Sequence, residues 1–151
     1  MFFLRDFSKK KLDELAAIPE GLRVTHRPNP VAARPGGRSG AKYTWLHSTA
    51  VESVGPEATI TEFGAFTWDW IKNRWVFGTI YGRPFNADEF AEWYNCPGAK
   101  LGENFVAIDR TNYSGGDALT RSRTLWYFVA ETVHGGSIKG DAVVEYLPRL
   151  A

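Results

Sequence analysis

The sequence predicts a mainly β domain: an antiparallel β-barrel or two-sheet sandwich of about six to eight strands, with an N-terminal helix and one short helix near residues 87–95. Three observations carry this. From residue 43 onward, stretches such as YTWLHSTAVES and TLWYFVAETV alternate apolar with polar residues and are rich in β-branched and aromatic types. Gly, Asn, Asp and Pro punctuate these stretches at short intervals. Only two segments combine helical spacing with helix-boundary residues.

The first of those segments is FSKKKLDELAAIPEG. Ser8 is placed to cap it, Phe7 and Leu12 stand at hydrophobic-staple positions, and Pro19 and Gly21 end it. Residues 22–42 follow as a Pro/Gly-rich arm that reads as an extended or mobile connector. Its charges are Arg23, Arg27, Arg34, Arg38 and Lys42, with no acid among them. The strand signals begin at Tyr43. They are broken once, by PFNADEFAEWYNCPG, where Asn86 and Glu89 form a capping box and Pro97-Gly98 stops the helix. Residues 1–42 are thus read as helix plus basic arm and 43–151 as the antiparallel β domain, the whole a single globular unit.

Composition narrows the function classes. The net charge is +1, which provides no strong overall field for nucleic acid or membrane. The positive charge is concentrated in the arm, but its five cations are spread over 21 residues and no nucleic-acid-binding module pattern accompanies them, which argues against nucleic acid as a partner. No segment has the length and apolarity of a membrane span. The one cysteine, Cys96, rules out an intrachain disulfide and a multi-cysteine metal site and fits a reducing compartment, so a cytoplasmic location is expected. The three histidines show no metal-ligand spacing, and no phosphate loop or dinucleotide fingerprint is present, so neither a metal nor a cofactor is expected.

The stretch FTWDWIKNRWVFGTIYG concentrates aromatic rings. A turn at Lys72-Asn73 pairs Trp70 with Trp75 and puts Phe66, Trp68, Trp70, Trp75, Phe77 and Tyr81 on one face. Six such side chains amount to about 900–1,500 Å², more than a monomer leaves uncovered. Either the chain itself covers this face, or part of it lines a ligand cleft or a subunit interface. In the last hairpin, a Gly135-Gly136 turn pairs Val133 with Ile138 and Glu131 with Gly140. Glu131 is then the lone charge on an apolar face, a candidate general acid or base. The alternative is a carboxylate that reaches solvent or pairs with an arginine. Glu62 is placed opposite Arg83, as an ion pair.

His47 shares a strand face with Trp45 and Thr49 and is read as inward, either as a hydrogen-bonded core residue or as an acid/base group. His26 and His134 need no functional reading. The polar segment DRTNYSGGDALTRSR, 109–123, is long for a plain connection and is a candidate lid. The expected function is binding of an apolar or aromatic small molecule inside the barrel. Trp70, Trp75, Tyr81, Tyr113, Tyr127 and Arg110 are the candidate contacts. One alternative is a cofactor-independent lyase, isomerase or cyclase using Glu131 or His47. Another is an accessory subunit that binds a partner protein or a second copy through the aromatic hairpin and the basic arm.

Overall fold

A computed structural model describes residues 4–37 and 40–151. Arg38 lies outside the described residues. Helix α1 (Leu4–Ala16) is followed by β1 (Leu22–Arg27), β2 (Val31–Pro35), β3 (Tyr43–Ser53), β4 (Ala58–Asp69), β5 (Arg74–Phe77) and β6 (Phe85–Asn86). Helix α2 (Ala87–Trp93) comes next, then β7 (Lys100–Leu101), β8 (Val106–Gly116), β9 (Ser122–Thr132) and β10 (Ser137–Leu150). The strands join into one strongly curled mixed sheet, a half-barrel, in the order β1-β3-β2-β10-β9-β4-β5. β8 pairs with β3, and the short β6 and β7 pair with β4. The expectation of a mainly β, barrel-like fold with two helices holds.

The basic arm is not a connector. β1 and β2 both run antiparallel to β3 and occupy successive stretches of the same side of it. β2 then pairs in parallel with β10, so the sheet is mixed rather than purely antiparallel. The parallel pair is a consequence of two hairpins meeting: β2 takes its direction from β3, and β10 takes its direction from β9. Proline and glycine punctuate this segment at turns while its strand residues alternate inward and outward. Val31 and Ala33 are buried and Arg34 is exposed.

Each face of the sheet carries its own helix. On the outer face, α1 lays Leu12, Leu15 and Phe7 against Phe66, Phe77, Tyr127 and Val129. Ser8 does not cap this helix, which starts four residues earlier. Its buried hydroxyl accepts the Phe77 amide at 2.8 Å and so satisfies the end of β5. The Glu62–Arg83 pair does not form. Glu62 accepts the Tyr127 hydroxyl at 2.6 Å and the Lys11 ammonium at 3.0 Å, which fastens α1 to the sheet. Arg83 pairs instead with Glu89 at 2.9 Å. On the concave face, α2 packs Phe90 and Tyr94 onto Phe63 and Phe128. Its start is the expected capping box of Asn86 and Glu89.

Candidate functional site

The two hairpin registers decide which side chains reach the concave face. In the first, Trp68 rather than Trp70 lies opposite Trp75. That slip is two residues, so Phe66, Trp68, Trp75 and Phe77 keep their shared face. In the second, Glu131 lies opposite Ser137 rather than Gly140. That slip is three residues, so β9 turns over relative to β10. Thr124, Trp126, Phe128 and Ala130 face inward with Ile138, Ala142, Val144 and Tyr146. Glu131 stands on the outer face and is exposed.

A cavity of about 680 Å³ lies on the concave side, between β8 and the chain around β5 and β6. One wall is aromatic and apolar: Phe63, Ala65, Phe85, Trp93 and Trp126, with Tyr81 at the rim. The rings hold one another edge-to-face and stacked. Phe85 lies 4.7 Å from Trp93 and 6.4 Å from Trp126, and Tyr81 lies 5.7 Å from Phe85. The other wall is polar and comes from β8: Asp109, Thr111, Asn112 and Ser114. A one-residue bulge between the Thr49–Asp109 and His47–Asn112 pairs lets both Thr111 and Asn112 line the cavity. Asp109 Oδ1 holds that bulge by accepting the Thr111 amide at 3.0 Å.

Tyr94 and Tyr146, both almost fully buried, also line the cavity. Behind Tyr146 runs a buried polar network. The Ala142 carbonyl accepts from His26 Nε2 at 3.0 Å, so Nε2 carries the proton and Nδ1 accepts from the Thr49 hydroxyl at 2.9 Å. Thr49 in turn accepts from the Asn112 amide at 2.9 Å. His47 Nδ1 donates to the Ser48 carbonyl at 3.2 Å, which leaves Nε2 to accept the Tyr146 hydroxyl at 2.9 Å. Both imidazoles are therefore neutral. Burial, with a smaller contribution from His47, pushes His26 down to about 4. Burial also lowers His47. It raises the Tyr146 phenol, against the opposing pull of Thr124 and Trp126. Tyr94 is raised by burial and by the Asp109 carboxylate. The Trp126 indole N–H is buried without a well-aligned acceptor.

The candidates read from the sequence scatter. Tyr81 and Tyr113 are at the cavity. His47 is one hydrogen bond behind it, and His26, which the sequence left without a role, shares its network. Trp75 and Tyr127 belong to the outer cluster beneath α1. Trp70 is at the hairpin end, 43% exposed, with the guanidiniums of Arg121 and Arg123 at 4.8 and 4.7 Å from its ring. Arg110 is exposed on the outside of β8. The stretch 109–123 is mostly strand, with only residues 117–121 connecting β8 to β9. Phe63, Phe85, Trp93, Trp126 and Tyr146 were not anticipated as cavity residues. The alternation of β9 puts Trp126 and Phe128 on one face, but only the correct register shows that this face is the inner one.

Among the described residues, no group of three or more His, Cys, Asp and Glu gathers as a metal site, and no helix is long and apolar enough to cross a membrane. No protein-family model matches the chain, and no curated protein matches it. The chain is similar to the crystal structure of a Bordetella pertussis protein carrying the provisional name ApaA, at 13% identity and a TM-score of 0.46, over 87% of this chain and 98% of that one.

Proposed function

We propose that the protein binds a planar, largely apolar small molecule in the concave cavity. The observation that carries this reading is the division of a cavity of about 680 Å³ into an aromatic wall and a polar wall facing each other. Its size lies within the usual range of about 300–1,000 Å³ for small-molecule sites. A ring system would stack on Phe85, Trp93 and Trp126, and its polar edge would meet Asn112, Thr111 and Ser114. Exposed Thr67 lines the cavity on β4 and offers a way to fill it, because a strand accepts tryptophan readily. Titration with 1-naphthol, read by tryptophan fluorescence, should saturate for the native protein. Thr67→Trp should weaken that binding about tenfold or more while the unfolding midpoint stays put. Unchanged affinity in the filled variant would sink the reading.

The hydrogen-bonded Tyr146–His47 couple favours one second reading, an acid/base reaction in the same cavity. Tyr146 would touch the substrate and His47 would position it. Tyr146→Phe separates the two: a binder loses little affinity, whereas an enzyme loses about 10²-fold or more in rate.

A further inference from the structure

The outer surface of β1, β3 and β8 carries a second depression, of about 510 Å³, on the side of the sheet away from the cavity. Strand pairing sets its floor in rows. Arg23 lies beside Glu52, which lies beside Val106. Thr25, Ala50 and Ile108 form the next row, about 7 Å along the strands. In the third row Arg27 lies beside Ser48, with Arg110 beyond it at the bulge of β8.

The charges in this depression are not equivalent. Glu52, its one carboxylate among the described residues, is taken by Arg23. The guanidiniums of Arg27 and Arg110 have no ion pair or hydrogen bond among the described residues; Ser48 donates its hydroxyl to the Arg27 carbonyl. Their strands flank β3, which puts the two backbones about 10 Å apart, within convergent reach of two arginine side chains. Ser48 between them is small and neutral, so the space above it stays open. The third row is therefore a two-cation clamp at one end of an apolar strip.

We propose that this depression binds a phosphate monoester, with its dianionic head between Arg27 and Arg110 and an apolar body lying over Ala50 and Ile108. Two uncompensated guanidinium forks match a dianion in charge and in hydrogen-bonding geometry. A polyanion fits less well, because the next arginine along the strip is already neutralised by Glu52. The site is separate from the cavity and does not depend on its function.

The test is an NMR titration of backbone amides with phenyl phosphate, inorganic phosphate and benzoate. Phenyl phosphate should give saturable shifts at Ser48, Ala50 and Ile108. Inorganic phosphate should bind about threefold or more weakly, because it lacks the apolar body. Arg27→Gln and Arg110→Gln should each weaken phenyl phosphate about tenfold or more. Arg121→Gln, on a different part of the surface, and Thr67→Trp, in the cavity, should leave it unchanged. Both clamp residues are exposed, and the amide spectrum itself reports that the variants are folded. No saturable shift with phenyl phosphate, or equal affinity in the Arg27→Gln/Arg110→Gln double variant, would overturn the site. Benzoate binding as tightly as phenyl phosphate would overturn the assignment of a dianionic head.

Discussion

At the scale of single residues, the buried histidines set the clearest expectation. His26 is neutral in the fold, with its pKa near 4 against an ordinary value of 6.5. The unfolded chain takes up the proton first as the pH falls. The stability this residue contributes is therefore complete above about pH 6.5 and is lost progressively as the pH drops through about 4. The loss is on the order of 3 kcal/mol for a group this well buried. Its imidazole carbon resonances should titrate with a midpoint near 4, and a midpoint near 6.5 would show that the network is open to water. Gly140 sets a steric expectation. A Cβ there would collide with the Leu22 carbonyl and side chain where β1 passes over β10. Gly140→Ala should lower the urea midpoint by an amount equivalent to about 1–3 kcal/mol.

At the scale of elements, parity decides what a register error does. The slip in the first hairpin is even, so Phe66, Trp68, Trp75 and Phe77 keep a shared face, with α1 over Phe66, Trp75 and Phe77, but Trp70 and Tyr81 lie beyond the paired strands and Tyr81 reaches the cavity on the other side. The slip in the second is odd, and it exchanges Glu131 for Trp126 and Phe128 on the inner face. A Gly-Gly pair reads naturally as a two-residue turn, but the Thr132 amide donates to the Gly136 carbonyl at 2.8 Å, so the pairing encloses three residues, 133–135, and the odd loop length shifts the register by an odd number. Nothing within either strand signals that difference, because β9 is apolar on both faces. Helix α2 was legible because its capping box is local in sequence. Asn86→Ala should cost about 1 kcal/mol and, because α2 carries Trp93 into the cavity wall, should weaken 1-naphthol binding alongside the thermal midpoint. Thermal destabilisation with full affinity would place α2 outside the ligand site.

At the scale of the whole molecule, the sheet is a half-barrel with a helix on each face, and the N-terminal segment is part of it. Deleting residues 1–18 removes α1 and strips the cover from Phe66, Phe77, Tyr127 and Val129. The truncated chain should self-associate in size-exclusion chromatography and bind a hydrophobic dye, because exposed apolar patches of this kind are not left open on monomers. A monodisperse, dye-free truncation would show that α1 is dispensable. Extending the deletion to residue 42 would also remove β1 and β2 and break the sheet at β3 and β10, so only the shorter deletion isolates the helix.

Residue order alone settled the fold class, the two helices, the inward face of β3 with His47, and the shared face of Phe66, Trp68, Trp75 and Phe77 in the first hairpin. Each rests on a period or a cap readable within about a dozen residues. The tertiary structure decided the rest. It made strands of a Pro/Gly-rich arm, brought His26 to His47 and Tyr146, turned β9 over, and converted the polar stretch after Asp109 into one wall of a cavity. All of these depend on which strand lies beside which. That is set by long-range pairing and by the burial of both faces of a curled sheet, and neither leaves a local periodic trace.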